Sequence, residues 1–456
     1  MIAVSIVNSH RKITGALVAG AVASGLFVSA GLGSAPTANA TCASIFGIGG
    51  GAACTSTLFS ASFAIGEGAT AHATGPLSLG FAIGDGAQAD AGGALSLALV
   101  DGNATSKATT SAGSVLNLAW VIGGDSTAET SPGSIFNLAT SLFGDNNHAT
   151  AGGSIGNFAT NIGGSGNNVT TQGGLFNTAT NILGSGNILK TQDGYVNWAR
   201  NIFGSDNAIT VNGGVANWAR TVFGDDNTFL LTAGNVNTAR NIFGSNNTFT
   251  LNLGYGNFAR NLFGSDNFLT TATGYSDLAT NFLGSGNHVT SIGGSYNGAR
   301  NIVGSGNMLS AGGPGSNLNL AFNFLGGTNT VAAGPGPLAF AGSIFRNGPL
   351  TPPITQTGPG IAINSDPIGG AAATSGQSST VRRANAVPLN RTGDRAAAVK
   401  PAGTTTATNK KTRPATDHPT GITTASNKKP GPATDHPTGT TTGSKKTRAN
   451  DHRRHR

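Results

Sequence analysis

Charge is scarce in this 456-residue chain: charged residues make up 10% of it and aromatic residues 6%. A globular domain usually carries about 25% charged residues, so a set of ordinary globular domains is not expected. Beyond the first 40 residues, no stretch is apolar enough to cross a bilayer as a helix. Cysteine is nearly absent, with Cys42 and Cys54 alone. The bulk of the chain is therefore expected to be neither a set of ordinary globular domains nor a bundle of membrane-spanning helices.

Glycine is abundant, with 71 residues, but it shows no G-X-Y period, which excludes collagen. Between residues 117 and 297 the sequence instead repeats every 20 residues. Each repeat carries Asn (once Asp277), then Ala two positions later and Gly five positions after that. A fixed period of this kind is typical of repeat proteins, in which each unit packs only against its neighbours.

The repeat from 197 to 216 divides into four steps of five residues. Residues two apart on a strand share a face, so we expect two residues of each step to point inward and the others outward. The expected inward pairs are Asn197 and Ala199, Ile202 and Gly204, Asn207 and Ile209, and Asn212 and Gly214. Glycine at the corners would supply positive φ. The pattern predicts an all-β fold, a single-chain parallel β-solenoid of about 13–14 coils of 18–20 residues, roughly 65 Å long.

The chain divides into six predicted segments by composition and period. They are a secretory signal peptide (1–40), an N-terminal cap (41–57), 18-residue coils (58–112), 20-residue coils (113–332), a Pro/Gly-rich linker (333–380) and a basic disordered tail (381–456). A basic start, an apolar stretch and an Ala-Asn-Ala site predict cleavage after Ala40 and export.

Export to an oxidising compartment makes a disulfide between Cys42 and Cys54 the natural interpretation, with two unpaired thiols as the alternative. With no His nearby, these cysteines do not make a zinc site. The column from Asn147 to Asn307 is expected to form a ladder, because stacked amides can hydrogen-bond from coil to coil.

The Gly-Ser-Gly-Asn and Gly-Ser-Asp-Asn steps, the five-residue spacing and the signal sequence resemble the Gly/Asn-rich repeat proteins of mycobacteria. These are the PE-PGRS proteins and the PPE proteins with major polymorphic tandem repeats, although no PE or PPE domain opens this chain. Phe81-Ala-Ile-Gly-Asp-Gly is similar to the head repeats of trimeric autotransporter adhesins, and the Gly-Ser-Gly-Asn step to curlin repeats. These resemblances imply an exported surface protein, and none implies an enzyme.

No catalytic, cofactor-binding or metal-binding constellation stands out. Asp206, Asp226 and Asp266 share one corner column, as in calcium-binding β-rolls, but other copies carry Gly there, so solvated turn residues are expected. A polysaccharide-degrading β-helix would need a carboxylate cluster, and at most Asp225 and Asp226 are close. An ice- or crystal-binding solenoid would need unbroken Thr columns, and Leu230 interrupts the column of Thr210.

Two basic features are candidates for binding an anionic polymer. The first is one column of the coils: Arg200, Arg220, Arg240, Arg260 and Arg300. The second is the tail, where residues 381–456 hold 16 Lys/Arg against 4 Asp, a net charge of +12. Its candidate residues are Lys410, Lys411, Arg413, Lys428, Lys429, Lys445, Lys446, Arg448, Arg453, Arg454 and Arg456. Solvated, non-binding residues are the alternative for both.

We therefore expect an exported structural or interaction protein of the cell surface or cell wall. Its partners would be anionic envelope polymers or lipids, with host glycans as a further possibility and adhesion or host contact as the consequence. Nucleic acid is not an expected partner of an exported chain, and no transmembrane helix is expected in the mature protein. The alternatives are a secreted polysaccharide-degrading β-helix enzyme and an ice- or crystal-binding solenoid.

Overall fold

The computed structural model describes residues 41–349, 352–364 and 366–370, the last five by their backbone alone. The predicted signal peptide and the basic tail lie outside the described residues. The strands are, in chain order, β1 (Thr41–Ile45), β2 (Ile48–Gly49), β3 (Cys54–Ser56), β4 (Ala61–Ile65), β5 (Thr70–Ala73), β6 (Leu79–Ile83), β7 (Gln88–Ala91), β8 (Leu97–Gly102), β9 (Lys107–Thr110), β10 (Leu118–Gly123), β11 (Thr127–Thr130), β12 (Leu138–Leu142), β13 (His148–Ala151), β14 (Phe158–Ile162), β15 (Asn168–Gln172), β16 (Thr178–Ile182), β17 (Ile188–Gln192) and β18 (Trp198–Phe203). They continue with β19 (Ala208–Asn212), β20 (Trp218–Phe223), β21 (Thr228–Thr232), β22 (Thr238–Phe243), β23 (Thr248–Asn252), β24 (Phe258–Phe263), β25 (Phe268–Tyr275), β26 (Leu278–Leu283), β27 (His288–Ser295), β28 (Gly298–Val303), β29 (Met308–Gly312), β30 (Leu320–Phe324), β31 (Thr330–Ala333), β32 (Ala339–Ile344), β33 (Ile354–Gln356), β34 (Gly360–Ile363) and β35 (Asp366–Gly370).

The strands form two sheets that wind as one parallel β-solenoid of about 15 turns, so the predicted fold class is confirmed. The even-numbered strands β4 to β34 stack in parallel as sheet A, which also includes β1, β2 and β35. The odd-numbered strands β3 to β33 stack in parallel as sheet B, which has 16 strands. Each coil contributes one strand to each sheet, and a turn joins them at each corner. At ~4.8 Å per coil, the stack is about 70 Å long.

Register follows the repeat of the sequence. Within the regular coils, Ala199 pairs with Ala219 and Ile209 pairs with Phe229, one 20-residue period apart. The early coils are shorter, because Phe63 pairs with Phe81 eighteen residues later. Towards the C-terminal end, Ala299 pairs with Ala321, which shows that this coil is two residues longer.

The predicted inward positions are partly wrong. Each strand buries alternate residues along its length: sheet A buries Asn197, Ala199 and Asn201, and sheet B buries Asn207, Ile209 and Val211. The Ile202 column, expected in the core, is outward and half-buried, and Asn212 is exposed. Inward and outward side chains therefore alternate over five consecutive residues of each strand, whereas the predicted pattern starts again at every fifth residue.

The core between the sheets is thin and asymmetric. Sheet A contributes the Ala column, which includes Ala199 and Ala219, and every member is almost completely buried. Sheet B faces it with larger side chains, among them Phe229 and Phe249, whose rings stack at a centroid distance of 4.4 Å. Small residues opposite large ones let two flat sheets approach closely without voids.

Three ladders of buried Asn run along the rod. In the predicted ladder, Asn227 Nδ2 donates to Asn207 Oδ1 at 3.0 Å, and the backbone N–H of Asn227 donates to the same oxygen. In the column of Asn197, the Oδ1 of each residue accepts the backbone N–H of the residue one coil later; Asn197 Oδ1 accepts that of Asn217 at 3.0 Å. A third ladder, which the sequence did not predict, joins Asn201 Nδ2 to Asn181 Oδ1 at 2.8 Å. Pairing with adjacent coils satisfies most of these amides, which would otherwise be costly to bury; the Nδ2 atoms of Asn137, Asn161 and Asn237 have no partner among the described residues.

The invariant corner Gly of each coil is required by close packing as well as by φ. Gly204 has φ +149°, and a Cβ there would lie 2.1 Å from the carbonyl oxygen of Gly224 in the next coil. No side chain fits in that space, so the 4.8 Å stacking of coils depends on glycine at this corner.

Both ends of the stack have antiparallel strands. At the N-terminal end β1 pairs antiparallel with β4, and a disulfide joins Cys42 to Cys54, with their Cα atoms 5.7 Å apart. At the other end β35 pairs antiparallel with β34. Such strands cover edges that could otherwise pair with another chain.

The prediction of a linker from residue 333 is wrong where β32, β33 and β34 continue the two sheets, at residues 339–344, 354–356 and 360–363. Pro349, Pro352 and Pro353 obscure the repeat, but they lie between strands, where a missing N–H costs no ladder hydrogen bond. The described residues include no helix that could span a membrane.

Candidate binding face

The outer face of sheet A carries the predicted Arg column. Successive strands place Arg200, Arg220, Arg240 and Arg260 in direct register, and Thr280 separates them from Arg300. Adjacent guanidinium-bearing positions are therefore one coil, ~4.8 Å, apart. The structure brings together all five arginines that the sequence singled out.

These guanidinium groups have no protein partner in the described part of the chain. None of the hydrogen bonds described there uses an Arg column side chain, and the one ion pair, between Lys107 and Asp90, is elsewhere. The Nε atoms of Arg200, Arg220 and Arg240 are buried and lack an acceptor. Burial, together with the neighbouring Arg200 and Arg240, lowers the pKa of Arg220. The column is thus a row of like charges with unmet hydrogen-bonding capacity.

Aromatic and aliphatic columns border the Arg column on both sides. Two positions before it stand Trp198, Trp218 and Phe258, and the two indoles are 5.3 Å apart, edge to face. Trp218, Arg220, Arg240 and Phe258 line a shallow depression of ≈ 270 Å³. Two positions after the Arg column lies the outward Ile202 column, in which Phe282 is 45% exposed.

An exposed ladder of phenylalanines marks the corner that follows sheet A. Phe203, Phe223, Phe243 and Phe263 have ring centroids 5.0–5.1 Å apart and planes within 5° of parallel. Each ring is about 40% exposed. The opposite corner exposes Tyr255 and Tyr275, also stacked. Contiguous exposed apolar surface of this extent is typical of interaction sites.

The outer face of sheet B is polar by comparison. Its central column is mostly threonine, with Thr170, Thr250, Thr270 and Thr290 in one line. Lys190 and Leu230 interrupt this column, and the interruption at Leu230 is the one that the sequence indicated. The two broad faces of the rod therefore differ in chemistry: sheet A is aromatic and cationic, and sheet B is hydroxyl-rich.

The Asp column at the corner is explained by backbone conformation. Asp206, Asp226 and Asp266 have φ between +56° and +58°, and Asn246 at the same corner has φ +55°. Asp, Asn and Gly are the residues that tolerate this left-handed region best, and most other copies carry Asn146, Gly166, Gly186, Gly286 or Gly306. Among the described residues, no group of three or more His, Cys, Asp or Glu side chains could hold a metal ion.

One buried carboxyl was not identified as special from the sequence. Asp277 replaces Asn in its ladder: its Oδ1 accepts the backbone N–H of Asn297 at 2.9 Å, but its buried Oδ2 has no partner among the described residues. Burial raises the pKa of Asp277 to about 6. The sequence does carry a signal for this site, because Asp277 is the one residue other than Asn in its column between residues 117 and 297.

The basic residues of the tail, from Lys410 to Arg456, lie outside the described residues. Comparison of the chain with protein-family models, with curated proteins and with solved structures finds no match.

Proposed function

We propose that this chain is an exported, non-catalytic rod that binds anionic material of the cell envelope through its Arg column and its basic tail. The observation that carries the proposal is the row of guanidinium groups that no described side chain neutralises. Stacking like charges is unfavourable unless a ligand of opposite sign compensates them. The resemblance of the coils to Gly/Asn-rich repeat proteins of mycobacterial surfaces supports the same cellular setting.

The periodicity of the column suits a linear partner. An extended polyanion lying along the rod axis would meet one guanidinium per ~4.8 Å without bending. Arginine forms bidentate bonds with carboxylate, sulfate or phosphate groups, and its binding releases counterions. Structural support, adhesion and host contact are the roles that such a rod could serve.

A charge-matched pair of variants tests the proposal. In full-length protein, R220Q/R240Q/R260Q removes three charges from the Arg column, whereas K107Q/K190Q/R346Q removes three charges elsewhere on the rod. We expect the first variant to bind alginate, a linear uronic-acid polymer, at least tenfold more weakly than the second. The slope of its log binding constant against log salt concentration should also be smaller in magnitude by about 2 than that of the second variant. Equal losses in the two variants would mean that the Arg column is no site.

A further inference from the structure

The surface around the Arg column is more apolar than a soluble polyanion requires. All three tryptophans of the chain, Trp120, Trp198 and Trp218, lie on the outer face of sheet A, because Trp120 is in register with the Arg column four coils earlier. The outward Ile202 column and the Phe ladder extend this apolar surface to the corner. A ligand that used only the charges would leave most of this surface in water.

We propose that the outer face of sheet A docks on an anionic lipid surface, with sheet B facing away from it. This inference rests on the proposed function, since the Arg column supplies the attraction for anionic headgroups. Arginine, tryptophan and phenylalanine are the residues that favour the boundary between headgroups and acyl chains. A rod with one cationic apolar face and one hydroxyl-rich face has the lateral asymmetry of interfacial amphipathic helices.

Charge complementarity favours this occupant over a second copy of the chain. Two copies packed through this face would bring one Arg column opposite the other, and like charges across an interface are strongly unfavourable. An anionic leaflet offers both negative headgroups for the column and an apolar layer for its flanks, and each basic residue near such a surface contributes about 1 kcal/mol of attraction. The Phe ladder spans four consecutive coils, so it matches an extended surface better than a compact ligand.

Tryptophan fluorescence reports this contact directly, because residues 381–456 contain no tryptophan. Full-length protein would be mixed with vesicles of phosphatidylglycerol and phosphatidylcholine, with and without bromine on the acyl chains. Docking through sheet A predicts that brominated anionic vesicles quench the emission at least twofold, and that vesicles of phosphatidylcholine alone do not. Binding without quenching would overturn the inference, because it would mean that the tail alone holds the vesicle.

Matched apolar variants separate the two faces. F258T/L278T/F282T removes three outward apolar side chains from sheet A, and L230T/F268T/M308T removes three from sheet B. Threonine keeps the β-propensity of each strand. We expect the sheet A variant to bind anionic vesicles about tenfold more weakly than the sheet B variant, a difference of ~1.4 kcal/mol.

The outcomes distinguish this inference from the proposed function. Wild-type protein that binds alginate but not anionic vesicles would overturn the lipid inference and leave the proposed function standing. Protein that binds neither would overturn both. Equal vesicle binding by the two apolar variants, or a tryptophan emission shift that depends on protein concentration without lipid, would also overturn the lipid inference, the latter in favour of a second copy.

Discussion

Individual positions in each coil are restricted by how closely the next coil approaches. Two glycines of neighbouring corners show the contrast: a Cβ at Gly224 would lie 2.0 Å from the carbonyl oxygen of Gly244, whereas a Cβ at Gly213 would meet nothing nearer than 3.9 Å. Both have positive φ, but the +71° of Gly213 is close to the left-handed region that alanine can adopt, whereas the +135° of Gly224 is far outside it, so backbone conformation and stacking distance both oppose a side chain at Gly224. Ala233 occupies the position of Gly213 in the next coil, with φ +47°, which shows that this corner accepts alanine.

We therefore predict unequal costs for the same substitution. Gly224→Ala must separate two coils and should destabilise the rod by about 3 kcal/mol or more. Gly213→Ala should cost about 1 kcal/mol, the usual strain of a left-handed alanine. Denaturant unfolding of both variants checks this, and comparable losses would show that the coils are not stacked as closely as described.

Asp277 makes the stability of its coil depend on pH. Its folded pKa of about 6 lies above the ordinary value of an Asp, so the folded state favours the protonated form. Stability is therefore fully present below pH ~4 and is lost as the pH rises through about 6, by an amount on the order of 2 kcal/mol. Asp277→Asn supplies the amide donor found in the other coils and removes the ionisation.

The unfolding midpoints of wild type and Asp277→Asn, compared at pH 4 and pH 8, test this expectation. The advantage of the Asn variant should grow by about 2 kcal/mol across that interval, since all other titrating groups are common to both proteins. An advantage that does not change with pH would mean that Asp277 ionises as freely as an exposed carboxyl.

At the scale of the strand, the Asn ladders provide the polar contacts between coils. Asn247 Oδ1 accepts both the backbone N–H and the side-chain amide of Asn267. Asn247→Ala would leave those buried donors unpaired, so we expect a loss of about 2–4 kcal/mol. Asn212→Ala, at an exposed position of β19, is the control and should change stability by less than ~0.5 kcal/mol. Faster amide exchange at Asn267 in the first variant only would locate the effect, and equal stability of the two variants would contradict the ladder.

The sequence predicted the strand elements better than it predicted their faces. The 20-residue period, the Asn207 ladder and the Arg column all follow from residue identity at a fixed spacing, and the structure has each of them. The Ile202 column was wrongly placed inside because an unbroken aliphatic column is normally a core signal. The Asn201 column, which is Asn in most regular coils and Thr221 in one, indicated the opposite, since residues 197, 199 and 201 lie on one face of the strand. An outward face that is itself apolar removes the contrast on which such predictions depend.

Whole-molecule properties follow from stacking many asymmetric coils. One coil contributes an arginine and a few apolar side chains to sheet A, and repetition in register converts them into a continuous face. The weakened repeat beyond residue 333 hid β32, β33 and β34 because the prolines between them resemble those of a linker. The sequence therefore predicted the rod but not its full length.

The basic tail gives a prediction for the entire protein. Removing residues 381–456 deletes a net charge of +12, so we expect the truncated chain to be released from the cell-wall fraction at lower salt than the full chain. Cell fractionation across a salt series measures this. Equal retention at every salt concentration would exclude the tail from anchoring.

Every functional proposal depends on coils that lie in register, and one distance tests that directly. Thr180 and Thr280 are outward residues of the same column, five coils apart. With the native cysteines joined in a disulfide, nitroxide labels at Thr180→Cys and Thr280→Cys should give a narrow pulsed-EPR distance of ~24 Å, five times the coil spacing. A broad distribution, or a distance far from this value across 100 residues of chain, would contradict the solenoid and the binding face built on it.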